Sequence, residues 1–243
     1  MSHFPRKDRP RNRLLALMSE ADFAAVRGYL RPVDLPRGAV LGRPYQPVEE
    51  FCFVEEGLAS QVTLTKDDRR HEVGVYGHEG GGPVSLLLGI ETTPYEITMQ
   101  LPGRGLMITS WALRTLMRDS LSFRSLLLTF LYTTTVQTAY TASSNSSALV
   151  GERLSRWLLM CHDRAEGNEL ALTHEFLGVM LGVRRAGVTH AVHLLEGAGM
   201  IRGSRGLITI RDREKLLAAA GETYGKPEAE YERVLGPMPR GRG

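Results

Sequence analysis

The chain has 243 residues with 42% hydrophobic residues, enough for one large or two modest globular domains. Its formal net charge of +3 is mildly basic and compatible with nucleic acid as a partner. Two distant cysteines, Cys52 and Cys161, exclude a disulfide framework and cannot supply an iron–sulfur cluster, so a reducing, cytoplasmic compartment is expected. The longest apolar run is too short to cross a bilayer and no secretory segment is recognised, so no membrane partner is expected.

The N-terminal half changes from a basic segment to a β-rich pattern. Residues 1–18 are rich in cations and are predicted to be a flexible tail. A helix over Ser19–Leu30 follows, with Ser19 as its cap. Between about 33 and 108, short β-rich runs alternate with Gly, Pro and a Lys66-Asp67-Asp68 turn, which predicts an antiparallel β-roll, or jelly roll. The predicted strands are Ala39–Leu41, Glu50–Val54, Leu58–Thr65, His71–Tyr76, Tyr95–Gln100 and Leu106–Thr109.

No chemical signature in the β-rich region supports catalysis or metal binding. His71, His78 and Glu79 lack the closely spaced histidines of a metal site, and exposed loop histidines are the preferred interpretation. The triplet at 80–82 is not followed by Gly-Lys-Ser/Thr, so it is interpreted as a glycine-rich turn and not as a phosphate-binding loop. Both cysteines are interpreted as buried apolar groups. We therefore predict no catalytic residue and no metal ligand.

The middle of the chain predicts a helix over Trp111–Arg118 and a long helix over 121–149. The first half of the long helix offers a packing seam, whose residues are Phe123, Leu127, Phe130 and Leu131. Its second half is rich in Thr and Ser, which are mediocre helix formers. Two alternatives stay open for the run at 143–147: the helix continues through it, or it is a linker.

The C-terminal third predicts helices joined by a tight turn and followed by a hairpin. A helix over Glu152–Ala165 precedes a second helix capped by Thr173, and Gly182 permits the sharp turn to a third helix at about 184–196. Two short strands, Met200–Arg202 and Leu207–Ile210, enclose the hairpin tip. Arg211–Tyr224 is predicted to be the final helix, and residues 226–243, rich in Pro, Gly and charge, are predicted to be disordered.

The third of these helices has one apolar and one cationic face. Val188, Val192 and Leu195 recur at i, i+4 and i+7 and form a stripe for burial. The opposite face carries hydrogen-bonding and cationic groups, which suits a helix placed in the major groove of DNA. Arg185 is the best candidate for a base contact, because a guanidinium can bind guanine in a bidentate manner. The predicted DNA-binding residues are Thr173, Arg184, Arg185, Thr189, His190, His193, Ser204 and Arg205.

The chain resembles the Crp–Fnr family of bacterial transcription regulators. The segments that carry the resemblance are Leu172-Thr173-x-Glu175-Phe176-Leu177, Met180–Arg185, Leu195-Glu196-x-Ala198-Gly199-x-Ile201, Arg205-Gly206-x-Ile208-x-Ile210 and, more loosely, Leu35-Pro36-Arg37-Gly38. The resemblance implies an α+β fold: an N-terminal antiparallel β-roll sensor domain, a long dimerisation helix and a C-terminal winged helix-turn-helix. The implied parts are a basic tail at 1–18, the sensor at 19–120, the dimerisation helix at 121–149, the DNA-binding domain at 150–225 and a disordered tail at 226–243.

The resemblance implies a homodimer that binds a near-palindromic site in double-stranded DNA, with RNA polymerase as a further candidate partner. Cyclic-nucleotide-binding members use a Gly-Glu segment and an arginine to hold the ligand, and the stretch at 80–97 has neither after its glycines. A buried phosphate would then lack a cation, so cAMP is not expected and the effector is unknown. At Ala186 and His190 the family often has glutamate and arginine, which implies a different target sequence.

Three other functions stay open from the sequence. The first is a regulator controlled by haem, redox state or another small molecule. The second is an enzyme built on the β-roll, although no nucleophile–base pair is recognisable. The third is an interaction module whose winged helix contacts protein and whose arginines are merely solvated.

Overall fold

The computed structural model describes residues 10–66 and 70–238. Its first half is a six-stranded antiparallel sheet folded into a roll, with the core order β1-β6-β3-β4, β2 paired to β6 and β5 paired to β3. The strands are β1 (Arg31–Leu35), β2 (Val40–Gly42), β3 (Glu50–Leu64), β4 (Arg70–Tyr76), β5 (Gly81–Gly82) and β6 (Glu96–Thr109). The predicted β-roll is confirmed, and β1 was not predicted.

Two pairs of predicted strands are single long strands in the structure. The runs 50–54 and 58–65 belong to β3, and the runs 95–100 and 106–109 belong to β6. The two long strands pair along most of their length, and register shifts occur near Val54, Glu56 and Leu58. Such irregularities let a strand bend without ending. The sequence suggested turns at Gly57 and Gly103. In the structure both lie within the long strands, where they permit close contact between the two paired backbones.

Helices flank the roll on one side. They are α1 (Arg13–Leu17), α2 (Glu20–Arg27), α3 (Ser110–Asp119) and α4 (Leu121–Ser147), with a short 3-10 turn at Val84–Leu88. Ser19 caps α2, as predicted, by accepting a hydrogen bond from the Asp22 amide. The sensor core joins helix and strand residues: Leu14, Leu15, Phe51, Phe53, Ile108, Phe123, Leu127 and Phe130 are all buried there. Burial of these large apolar side chains stabilises the domain.

The prediction of a flexible tail over 1–18 is wrong for its second half. Residues 1–9 lie outside the described residues, but α1 follows directly and its Leu14 and Leu15 are fully buried. Asn12 is fully buried too, and its side-chain amide donates to the carbonyls of Val54 and Gly80 at 2.7 and 2.6 Å. Cationic residues dominate the composition of this segment. Its structure is decided by Leu14 and Leu15, because burial of these apolar side chains is favourable.

The prediction of disorder over 226–243 is also wrong for most of that segment. A helix, α9 (Lys226–Leu235), begins with Pro227 in its first turn and packs on α4. Pro227, Tyr231 and Leu235 recur every four residues on this helix and are buried, and Met238 is buried just beyond its end. This stripe is easily missed among the charges between its members. Residues 239–243 lie outside the described part of the chain.

Helix α4 continues through Ser147, which decides the open question about the serine run. Hydroxyls along it bond back to carbonyls three or four residues earlier, for example Thr138 to Thr134 at 3.0 Å and Ser147 to Ser143 at 3.0 Å. These bonds satisfy the hydroxyls locally and remove much of their competition with the helix. The predicted seam is packed within the subunit: Phe123, Leu127 and Phe130 are buried in the sensor core, and Leu131 is partly buried against it.

Residues 150–220 form the winged-helix domain. It contains α5 (Val150–Arg164), β7 (Glu169–Leu170), α6 (His174–Leu181), α7 (Arg185–Gly197), β8 (Ile201–Ser204), β9 (Leu207–Ile210) and α8 (Arg213–Ala220). The predicted final helix at 211–224 is shorter, because α8 ends at Ala220 and a 3-10 turn occupies Gly221–Thr223. No helix among the described residues has both the length and the apolar character needed to cross a bilayer.

The winged-helix domain packs directly against the sheet of the sensor. Leu58, Val62 and Val75 belong to the same apolar cluster as Trp157 and Leu158. Two buried polar contacts cross the same junction. The Trp157 indole donates to Glu72 at 2.8 Å, and the Arg164 guanidinium donates to Glu79 at 2.7 Å.

The interpretation of His78 as an exposed loop residue is wrong. Its side chain is 1% exposed in the turn that follows β4, whereas His71 is exposed on that strand. Glu79 is 2% exposed and pairs with Arg164. This short segment therefore lies inside the junction between the two domains.

Glu72 should make stability depend on pH. Burial raises the pKa of this carboxyl to about 8, although the Trp157 hydrogen bond and the charges of Arg156 and Arg164 oppose the shift. The protonated form is favoured in the native state, so stability should be greatest below the unfolded pKa and should fall as pH rises from about 4.5 to 8. We expect the free energy of unfolding of Glu72→Gln to depend less on pH over that interval, because the amide still accepts from Trp157 and carries no charge.

The measurement is urea denaturation of both proteins at several pH values. The slopes should differ by up to about 1.4 kcal/mol per pH unit. Glu222→Gln, at a side chain that is 95% exposed, is the control and should retain the wild-type slope. Parallel curves for wild type and Glu72→Gln would contradict the assignment.

Candidate nucleic-acid interface

The turn between α6 and α7 has the geometry that the sequence predicts. The Thr173 hydroxyl accepts from the Phe176 amide at 3.2 Å and caps α6. Gly182 ends that helix with φ of 62° in the left-handed region, which glycine adopts without strain. Arg153, which was not predicted, donates from its guanidinium to the carbonyl of Leu181 at the end of the same helix. The conformation of the turn is therefore stabilised by Arg153 of α5 as well as by Gly182.

One face of α7 anchors it in the domain core. Val188, Ala191, Val192 and Leu195 are at most 5% exposed and pack with residues of α5 and α6. The predicted apolar stripe is thus the buried one. With 13 residues the helix is roughly 20 Å long, which suits a single major-groove contact.

The opposite face of α7 is open to solvent. Arg184, Arg185, His190 and His193 are all exposed, and Arg184 occupies the N-cap position. The first turn has no acidic side chain, so the positive end of the helix dipole adds to the two guanidiniums. This end of α7 is suited to an anionic ligand such as a DNA phosphate.

Two of the predicted DNA-binding residues already have hydrogen-bond partners. Thr173 is half-buried and occupied as a cap. The Thr189 hydroxyl bonds to the Arg185 carbonyl at 3.1 Å and lies 3.3 Å from Nδ1 of His174. His174 escaped the sequence analysis because it stands on α6, and a lone histidine at that position carries no pattern.

The exposed face also contains a large apolar side chain that the sequence analysis did not foresee there. Leu194 is 57% exposed on α7, beside His193. It lies at the edge of the cationic face, since residues at i and i+1 are about 100° apart around a helix. Apolar atoms can contact a thymine methyl group, so Leu194 joins the residues that could face DNA.

The wing is a short hairpin of β8 and β9. Strand β7 pairs with the other edge of β9, which is therefore the middle strand of three. Ser204 and Arg205 are exposed at its tip, and Gly206 turns the chain with φ of 75°. The Glu196 carboxylate accepts from the Gly203 amide at 2.6 Å and fixes the hairpin to α7. The wing and α7 therefore present their cations from one connected unit.

Comparison with known proteins agrees with this geometry. Residues 152–219 match the model of the Crp-like helix-turn-helix domain. The winged-helix domain of this chain therefore belongs to the Crp-like helix-turn-helix family. A helix-turn-helix of this kind is a DNA-binding domain. No curated protein sequence matches the chain.

Several solved structures of Crp/FNR-type regulators share the fold over more than three quarters of this chain. A regulator from Xanthomonas campestris, CLP, described as responsive to c-di-GMP, is 18% identical with a TM-score of 0.63, over 79% of this chain and 99% of that one. FixK2 from Bradyrhizobium japonicum is 16% identical with a TM-score of 0.65, over 79% and 98%. A CRP-family regulator from Thermus thermophilus is 16% identical with a TM-score of 0.64, over 78% and 97%. At this identity the likeness shows the fold alone.

The described residues do not bring together a group of three or more His, Cys, Asp or Glu side chains that could hold a metal ion. His71 and His78 do not form such a group with Glu79. Both cysteines are buried. Burial, with the nearby carboxylates of Glu50 and Glu55, raises the pKa of the Cys52 thiol to about 12. Such a thiol is a poor nucleophile.

The three glycines at 80–82 are required by close packing. A Cβ on Gly80 would stand 2.2 Å from the Phe130 ring, and one on Gly81 would stand 2.1 Å from the Cys52 carbonyl oxygen. A Cβ on Gly82 would stand 2.4 Å from the Tyr76 hydroxyl. Side chains and backbone therefore fill the space that a ligand would need beside these glycines.

Proposed function

We propose that this regulator binds a near-palindromic DNA site as a homodimer, with Arg185 reading bases and Arg184, Ser204 and Arg205 contacting phosphates. The observation that carries the proposal is the exposed cationic start of α7, held in place by a buried apolar face. Thr189, His190 and His193 extend that surface, and Thr173 lies at the start of α6. Two such helices about 34 Å apart would enter successive major grooves.

Selection of bound sequences from random double-stranded DNA tests the proposal. We expect an enriched motif with two inverted half-sites whose centres lie about one helical turn apart. The triple variant Arg184→Ala, Arg185→Ala, Arg205→Ala is the control and should enrich no motif. If wild type also enriches none at low salt, the proposed contact with DNA is wrong, and an interaction module that binds protein becomes the better candidate.

The homodimer contact is proposed to lie along the outer stripe of α4. Alternating steps of four and three residues along this helix reach side chains that are all exposed, which is the spacing of a two-stranded coiled coil. Three of the first four side chains of this stripe are large and apolar or aromatic, and the last four side chains are small. Its residues are Leu121, Ser125, Leu128, Tyr132, Thr135, Ala139, Ala142 and Ser146.

A charge in this stripe should separate the subunits. We expect Leu128→Glu to weaken the dimer about tenfold or more, because a carboxylate would be buried beside its symmetry mate. The control is Val40→Glu, since Val40 is 41% exposed on β2 of the sensor. Sedimentation velocity over a concentration series measures both variants. A wild-type dissociation constant for Leu128→Glu would place the contact elsewhere.

The signal is proposed to be something other than cAMP. The stretch from 80 to 97 contains no Lys or Arg to compensate a phosphate, and its glycines pack against Phe130, Cys52 and Tyr76. A thiol-based redox signal is not favoured either, because both thiols are buried. Isothermal titration with cAMP should give no heat of binding, and a saturable heat would contradict this part of the proposal. Control of RNA polymerase from the bound site belongs to the same proposal.

A further inference from the structure

The C-terminal helix leaves the winged-helix domain and enters the sensor. Ala220 at the end of α8 is buried with the residues of the winged-helix core. Tyr231, Leu235 and Met238 are buried instead in the sensor core, with Leu14, Phe123 and Phe130 among their cluster. The connecting segment, residues 221–225, is short. The chain therefore crosses between the two domains twice, once from α4 to α5 and once here.

Hydrogen bonds fix α9 on the sensor. The Tyr231 hydroxyl donates to the Glu79 carbonyl at 2.7 Å, a fully buried contact. The Tyr132 hydroxyl of α4 donates to the Glu230 carboxylate at 2.7 Å, and Arg13 of α1 donates to the Leu235 carbonyl at 3.3 Å. Each bond joins α9 to a different part of the sensor. The position of α9 on the sensor is therefore fixed by these hydrogen bonds as well as by apolar packing.

The underside of α9 also meets α5 of the winged-helix domain. Glu228 is 6% exposed, and the charges of Arg156 and Arg164 act on its carboxylate. Arg164 pairs with Glu79, whose backbone carbonyl receives the Tyr231 bond. A cavity of about 20 Å³ remains between α9, α4, β4 and Arg164, which is room for about one water molecule. Helix α9 thus fills the space where the three elements converge.

The first crossing is suited to bending. Between α4 and α5, Ala148 and Leu149 are extended, with ψ of 148° and 155°. Two domains joined by one such connection can move relative to each other when the other contacts between them open. Here those contacts are an apolar cluster and the buried bonds of Glu72 and Glu79. A second crossing adds a covalent limit to any such opening, because the short segment between Ala220 and Lys226 can span at most roughly 20 Å.

We propose that α9 is a second tether, which restrains the winged-helix domain to the arrangement seen here for as long as the helix is docked on the sensor. Release of α9 would let the domain turn about the connection at Ala148 and Leu149. The orientation in which α7 is presented is then controlled by a segment outside the DNA-binding surface. This inference goes beyond the proposed DNA site and does not depend on the identity of the signal.

Cutting the tether in the folded protein tests the inference. A protease recognition sequence is inserted after Glu222, whose side chain is 95% exposed, and the protein folds before it is cut. Spin labels at Arg37→Cys in the sensor and Ala218→Cys in α8, in a Cys52→Ala, Cys161→Ala background, report the distance between domains. Labelled chains are diluted with a large excess of unlabelled protein, so that each pair belongs to one subunit.

We expect the distance distribution to become at least twice as broad after cutting, with new populations at longer distances. The matched control carries an insertion of equal length that the protease cannot cut, and its distribution should not change on treatment. An unchanged distribution after complete cutting would overturn the inference. DNA selection by the uncut wild type is measured separately, so a failure of the tether is distinguishable from a failure of the DNA site.

A milder variant tests the docking itself. Tyr231→Phe keeps the ring in the core and loses the bond to the Glu79 carbonyl. We expect amide hydrogen exchange in α9 to become about fivefold faster, since a buried hydrogen bond contributes on the order of 1 kcal/mol. Tyr140→Phe, on an exposed position of α4, is the control and should leave α9 unchanged. Exchange in wild-type α9 as fast as in an unprotected peptide would also overturn the inference.

Discussion

Arg185→Ala should weaken binding to the selected DNA site by about 1–3 kcal/mol, or roughly 5- to 150-fold, and relax base preference at one position of each half-site. Arg185 is the first residue of α7 and is exposed, so the loss would come from the DNA contact and not from unfolding. A fluorescence-anisotropy titration against the selected site and against single-base variants measures both effects. The melting temperature should remain within about a degree of wild type, because the side chain buries little surface.

Arg205→Ala is the matched comparison, because it also removes one exposed guanidinium. Arg205 stands at the tip of the wing, where a phosphate contact is expected. It should weaken binding to all sequences by a similar factor and reduce the slope of log affinity against log salt by about one. If the two variants lose affinity equally on matched and mismatched sites, the division between base-reading and phosphate-contacting residues is wrong.

Glu79→Ala should cost about 3–5 kcal/mol of unfolding free energy, because it removes the direct ion-pair partner of a buried guanidinium, that of Arg164. The side chains of Glu79 and Arg164 are 3% and 2% exposed, and their atoms are 2.7 Å apart. The second carboxylate oxygen of Glu79 also accepts from the Gly77 amide at 3.0 Å. Urea denaturation at pH 7 measures the loss. A coupled loss of contact between the two domains should appear as faster hydrogen exchange in α5.

The control is Glu56→Ala, which breaks a similar pair at the surface. Arg104 donates to Glu56 at 2.7 Å, but the two side chains are 63% and 35% exposed. Water already solvates both charges, so the loss should be about 0–1 kcal/mol. Equal losses for the two variants would show that burial of the Glu79 pair does not matter. The double variant Glu79→Ala, Arg164→Met should recover part of the stability, since it also removes the buried charge that has lost its ion-pair partner.

The helix-turn-helix was the easiest part of the fold to predict, since its signals are local. Thr173 caps α6 within three residues, and Gly182 alone permits the turn that ends it. The apolar stripe of α7 repeats within one helix, so its buried face can be read without knowing the partner. The exposed positions of Arg184 and Arg185 follow from that stripe by geometry.

The errors arose where a side chain's role depends on residues far along the chain. Phe130 packs as the predicted seam requires, but the sequence could not show that Gly80 is its neighbour, because that contact exists only once the roll has closed. The outer stripe of α4, with Leu128 and Tyr132, becomes recognisable when the inner face is occupied. His78 looked like an exposed loop residue and is buried at the domain junction.

Local periodicity and turn chemistry in the amino-acid sequence were enough to establish the β-roll, the long helix, the winged helix and its cationic face. These signals span only a few residues, so they can be recognised from the side chains of near neighbours in the sequence. Tertiary packing decided the rest: the burial of α1 and α9, the pairing of Glu79 with Arg164, and the second crossing between the domains. Composition could not reveal these features, because the free energy of burying a few apolar side chains outweighs the polar character of the segments that carry them.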